Sequence, residues 1–180
     1  ALPILSGDEN SIANTGYSNQ LINSGFAGKI SNTADQCRIG SLGGRSRICN
    51  SGNDVKIYAS GQGAHIANSG IRNFINATQS RTKITNTGDL AHITVTGDNA
   101  IAINTGDNCT LSVSGDNSVC ISTGHLQQFC LGKDGSAVIA YHDGKRTRFN
   151  VFYEGEDNIE AGIHYYLDEK QRPVAMDNIT

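Results

Sequence analysis

The chain has 180 residues, a net charge of −3 and 17% charged residues, with 21 glycines, two prolines and no tryptophan. That length fits one domain, or one domain with a small appendage. Without a basic excess a polyanion binder is excluded, and no apolar run is long enough to span a bilayer, so neither nucleic acid nor a membrane is expected as a partner.

From the first residues to Gly124 the sequence is a repeat. Glycine returns every nine residues, at Gly7, Gly16, Gly25, Gly43, Gly52, Gly61, Gly70, Gly88, Gly97, Gly106, Gly115 and Gly124, interrupted only by Ala34 and Gln79. Ser or Thr precedes each slot except at Leu42, and Ile stands four residues before most of them, from Ile12 to Ile93. Glycine this frequent without collagen's period predicts a regular all-β repeat. In an extended chain the Ile faces inward and its neighbours outward. Glycine is expected at each corner for its freedom to take positive φ, with Ser/Thr and the pairs Asp98-Asn99, Asp107-Asn108 and Asp116-Asn117 closing the turns.

Two residues before the glycine, Asn14, Asn32, Asn50, Asn68, Asn86 and Asn104 alternate with Asn23, Ser41, Ala59, Ala77, Val95 and Val113. The nine-residue period therefore conceals one of eighteen: two strands and two corners per coil, with a ladder of asparagines along one side. The predicted fold is all-β, a two-sheet parallel β-solenoid over residues 1–124, with an antiparallel hairpin and meander over 125–180 as a C-terminal cap.

Along the repeat, outward slots carry one cationic column, Lys29, Arg47, His65 and Lys83, and a mixed group, Arg38, Lys56, Tyr58, Phe74, Asn76 and His92. Aromatics flanked by cations have the make-up of a recognition surface, so this group is the candidate partner site. Near residue 100 the outward slots turn apolar at Ile101, Ile103, Val119 and Ile121, a patch expected to lie under the cap. In the tail, Ser136–His142 and Lys145–Tyr153 read as a hairpin across Asp143-Gly144, Ile159–Leu167 as a third strand, and Pro173–Met176 as a short fourth.

No catalytic residue, metal site or cofactor is expected. Calcium-binding nonapeptide rolls need Asp two residues before the large apolar side chain, and here that slot is mostly Asn, Cys, Ser or Ala and never Asp. The five histidines fall outside metal-binding motifs, and Cys130 with His125 has no evident orienting acid. Cys37 and Cys109 share one core column four coils apart, too far to bridge. Five cysteines, an odd number, point to a reducing compartment, so a cytoplasmic location is expected unless a leader has been removed.

The units GDNAIAINTG and GAHIANSG, with the tail segment IEAGIHYYL, resemble bacterial and prophage-encoded nonapeptide-repeat proteins, whose units read ARIxSTGDx before a tail ending near IxADxxYxL. The resemblance implies the solenoid and its β tail, but no transferable activity. It departs where the outward Arg of the unit is Lys, His or another residue. Together with the lack of catalytic groups it implies a non-catalytic protein-binding or scaffold module, such as a toxin-neutralising (immunity) protein or a phage-derived accessory. The alternative is a fibre or adhesin segment that stacks end to end, self-associating through the solenoid end or the cap.

Overall fold

A computed structural model describes residues 4–176, which form nineteen β-strands and no helix. One sheet holds, in spatial order, β2 (Ser11–Asn14), β4 (Lys29–Asn32), β6 (Arg47–Asn50), β8 (His65–Asn68), β10 (Lys83–Asn86), β12 (Ile101–Asn104), β14 (Val119–Ser122), β16 (Ser136–His142) and β17 (Thr147–Tyr153). The other holds β1 (Ile4–Leu5), β3 (Gln20–Asn23), β5 (Arg38–Ser41), β7 (Lys56–Ala59), β9 (Phe74–Ala77), β11 (His92–Val95), β13 (Cys109–Val113), β15 (Leu126–Leu131), β18 (His164–Leu167) and β19 (Pro173–Ala175).

Through the repeat the chain alternates between the sheets. Neighbours within a sheet are parallel, with partners eighteen residues apart, as in Ile48↔Ile66 and Ile57↔Ile75. The chain is a parallel β-solenoid of about seven turns, eighteen residues each, with a small antiparallel C-terminal part. At the usual strand spacing that is a rod roughly 30 Å long.

Alternation along each strand decides what is buried. The second and fourth residues point inward, giving facing rows of Ile30, Ile48, Ile66 and Ile84 against Ile39, Ile57, Ile75 and Ile93, all buried. Each such side chain contributes about 1.5–3 kcal/mol, and no coil can bury its row alone, so the turns stabilise one another. Beside the isoleucines runs the asparagine ladder. Asn32 Nδ2 donates to Asn50 Oδ1 at 2.7 Å and to the Ala34 carbonyl at 2.8 Å. The same pair of bonds recurs at Asn50, Asn68 and Asn86, and at Asn104, whose upper partner is Ser122 Oγ at 3.0 Å.

Two expectations about the corners are corrected. The recurrent glycines do not adopt positive φ. That conformation falls two residues later, at Glu9, Ser18, Arg45, Leu90, Asn99 and others, with φ near 55°. Glycine is required instead by the coil beneath: a Cβ on Gly61 would lie 2.0 Å from the Gly43 carbonyl oxygen, and one on Gly70 would lie 2.0 Å from that of Gly52. The corner aspartates likewise reach between coils rather than closing their own turns. Asp89 accepts the Asp107 N–H at 2.8 Å, and Asp98 accepts that of Asp116 at 3.0 Å.

Parallel stacking also runs past Gly124. β15 lies on β13 and β16 on β14, but the latter pairing is offset by seventeen residues, as in Val119↔Ser136. A turn shortened by one residue shifts the phase, and Gly132 takes the close-approach role, where a Cβ would meet the Gly115 carbonyl oxygen at 2.4 Å. β17 then pairs antiparallel with β16, and β18 with β15. The third strand begins at His164 rather than Ile159, because residues 154–163 form successive turns with Gly155 and Gly162 at positive φ. β17 starts at Thr147, since the Asp143 carboxylate holds the N–H groups of Lys145 and Arg146. At the solenoid's end, Phe129 packs on Phe152 and Tyr165 with ring centroids 5.6 and 5.8 Å apart, beside buried Ile159. The Tyr165 hydroxyl, bonded to the Glu160 N–H and the Asn158 carbonyl, pins the crossing segment over this aromatic plug.

Candidate binding surfaces

The outward face of the ten-stranded sheet brings the six candidate residues together. Arg38, Lys56, Phe74 and His92 form one column on β5, β7, β9 and β11, and Gly40, Tyr58, Asn76 and Thr94 form the next. Tyr58 and Phe74 sit diagonally, ring centroids 6.0 Å apart and tilted by 48°. Tyr58 is 45% exposed, and Arg38, Lys56 and His92 are exposed around it. Asn76 carries a buried Oδ1 with no hydrogen-bond partner among the described residues. Parallel pairing in fixed register makes this face rigid. At the nearby corner Arg72 grips Asp54 through two 2.9 Å contacts, and the Arg72 hydrogen bond holds the Asp54 carboxyl below its usual range.

On the opposite face the column Lys29, Arg47, His65 and Lys83 runs directly into Ile101 and Val119. Ile103 and Ile121 lie beside those two, and all four apolar side chains are half-buried. The described residues do not form the expected cover over Ile101, Ile103, Val119 and Ile121: β16 and β17 lengthen the same sheet edgewise, and β18 and β19 lengthen the other. A strand added in the plane of a sheet cannot lie across its face. The apolar surface instead continues onto Val138, Val151, Phe149 and Tyr153. The sequence reading missed these because the phase slip hid β16 as a further rung. The alternation of Phe149, Val151 and Tyr153 was the available signal.

Near the C-terminal end of the rod, a cleft of about 340 Å³ is lined by His125 and His142 beside Tyr141. Cys130 does not pair with His125; its cross-strand neighbour is His164. Among the described residues no three His, Cys, Asp or Glu side chains group as a metal cage.

All five cysteines are unbridged, and only Cys49 is exposed. Burial pushes the Cys120 thiol up to about 12 and raises those of Cys109 and Cys130. A thiol raised by folding stays protonated in the native state while the unfolded one ionises, so its contribution is fully present below the ordinary thiol value. It is then lost as pH climbs from about 9 toward about 12. Native chain at pH 8 should therefore label rapidly at Cys49 alone, read by intact and peptide mass spectrometry, and stability should fall through the alkaline range. Equal labelling of Cys120 and Cys49 would contradict this placement.

No family model matches the chain. A 42-residue stretch is 57% identical to YdhT, an uncharacterized protein of Escherichia coli (strain K12). That stretch is 23% of this chain and spans only 16% of the length of YdhT. No solved structure matches, and the likeness to YdhT brings no activity with it.

Proposed function

We propose that this chain is a non-catalytic protein-binding scaffold that engages its partner through the outward face of the ten-stranded sheet. The observation that carries this reading is the Tyr58–Phe74 pair, an exposed tyrosine against a half-buried phenylalanine on a rigid face between Arg38, Lys56 and His92. Aromatic anchors bracketed by cations supply apolar contact and charge in one patch. The partner is expected to be a protein with an acidic rim around an apolar centre. The resemblance to bacterial and prophage-encoded nonapeptide-repeat proteins supports a narrower version, an accessory of a mobile element such as a toxin-neutralising protein. The rival reading, a fibre that stacks end to end, has less support because the aromatic plug fills the C-terminal end of the rod.

The test is capture from the native host with wild-type chain and with a Tyr58→Ala/Phe74→Ala variant, both outward-facing changes that leave the core intact. One dominant protein retained by wild type and lost by the variant is the expected result. Identical capture by both, or repeated capture of nothing, would overturn the reading.

A further inference from the structure

We propose that β17 pairs antiparallel with β17 of a second copy of this chain, about a two-fold axis at Val151. The inference is independent of the partner face above and uses the other sheet. β17 ends the nine-stranded sheet, with β16 on one side and, among the described residues, no strand on the other. Its outward side chains are apolar and open: Phe149 is 57% exposed, Val151 47% and Tyr153 49%. A long edge with this composition is a template for another strand.

Backbone geometry limits the register. Glu154 donates its N–H to the Gly135 carbonyl at 2.9 Å, so the even-numbered residues of this stretch direct their backbone groups toward β16. Alternation then points the groups of Phe149, Val151 and Tyr153 outward along the free edge. Two copies can bond only where odd residues oppose odd residues, which confines the axis to a residue position rather than a peptide midpoint. Centred on Val151, its N–H and carbonyl exchange with those of Val151 in the second copy, and the Tyr153 N–H donates to the Phe149 carbonyl, the Tyr153 carbonyl being already held by the Glu156 N–H at 3.2 Å.

Charge selects among the remaining positions. The segment entering β17 is basic, with Lys145, Arg146 and Arg148, and the segment leaving it is acidic, with Glu154, Glu156 and Asp157. The Val151 axis sets Arg148 opposite Glu154, and turns Arg146 toward Glu156 and Lys145 toward Asp157. An axis at Asn150 would set Arg148 against Phe152 instead, and one at Phe152 would set Glu154 against Asn150. Arg148 already contacts Asp143 through Nε, and Glu154 accepts the Asp134 N–H through Oε2, which leaves guanidinium nitrogens and Oε1 for the second copy. The arrangement is isologous and closes at two copies.

Sedimentation equilibrium of the full chain from about 1 μM to about 1 mM reads the dimer as a concentration-dependent doubling of mass. Val151→Pro removes an outward N–H that its own sheet does not use, and should leave a folded monomer by circular dichroism. Arg148→Glu and Glu154→Arg each set like charges together and should weaken association roughly ten-fold or more at low salt, while the double exchange restores it. A wild-type chain that stays monomeric throughout, a dimer that Val151→Pro leaves intact, or a double exchange no better than the singles would each overturn the proposal.

Discussion

Asn68→Ala should lower the unfolding free energy by about 3–5 kcal/mol, more than truncation of a side chain this size costs at most buried sites. The Asn68 amide makes four bonds inside the rod. Its Nδ2 donates to the Gly70 carbonyl at 3.1 Å and to Asn86 Oδ1 at 2.7 Å. Its Oδ1 accepts from Asn50 at 2.8 Å and from Asn73 at 2.6 Å. Alanine leaves those partners in a dry interior where water cannot replace the bond, and it opens a void between two coils. Asn68→Asp should cost more still, because a carboxylate cannot donate to Gly70 or Asn86. Ser69→Ala, one residue on and exposed, should change stability by no more than about 0.5 kcal/mol. Urea unfolding of the three variants measures the contrast. Equal midpoints for Asn68→Ala and Ser69→Ala would mean that the amides are not stacked.

The ladder was legible because its signal is one-dimensional: the same residue type at a fixed interval, on alternate repeats. The isoleucine rows were legible for the same reason. What the sequence could not disclose is contact between coils that no residue type marks. A glycine freed for positive φ and a glycine squeezed by the carbonyl eighteen residues earlier look alike on paper. The residues that do take positive φ, among them Glu9, Arg45 and Leu90, have no shared chemistry. The aspartates were assigned to their own turns because local bonds are the usual partners of Asp. Here the stacking presents a backbone N–H from the next coil at the same place.

Beyond the strand starts at Thr147 and His164, the tail differs from the sequence reading chiefly at β16, and there the cause is a single residue. Shortening the turn before Ser136 by one position moved β16 out of the nine-step phase, so a further rung of the rod looked like the first strand of a separate cap. Once β16 is a rung, the uncovered Ile101, Ile103, Val119 and Ile121 belong to a larger apolar face that ends at the free edge of β17. Tyr58 and Phe74 were easier to bring together: with an eighteen-residue coil, residues at those numbers must be diagonal neighbours.

The two sides of the interior are not equivalent. Opposite the asparagine ladder the corresponding column reads Asn23, Ser41, Ala59, Ala77, Val95, Val113 and Leu131, all buried and growing more apolar toward the plug. Asn23 Nδ2 and Ser41 Oγ have no hydrogen-bond partner among the described residues. A lone amide in that column has no stacked amide to meet, which is why a ladder forms on one side of the rod only. In the other sheet the inward row shrinks to Ala102, Cys120 and Ala137 while the facing row keeps its bulk at Leu111 and enlarges at Phe129, so bulk on one side is matched by small side chains on the other.

Stacking with a lap of eighteen residues is the claim on which the surfaces, the ladder and the dimer edge all depend, and internal deletion tests it most directly. Removing residues 56–73 takes out one whole lap: Val55 then leads into Phe74, β9 takes the place of β7 on β5, and Asn50 meets Asn86 where it met Asn68. Removing residues 56–64 takes out half a lap, drives β8 into the wrong sheet, and sets Asn68 above Ser41 in the place that Ala59 held, while Asn50 meets Ala77 and the ladder is cut there. Cooperative unfolding followed by circular dichroism is the measurement. The eighteen-residue deletion should keep a single β-type transition, and the nine-residue deletion should abolish it. Two deletions of equal stability, or a nine-residue deletion that folds better, would contradict the stacked fold.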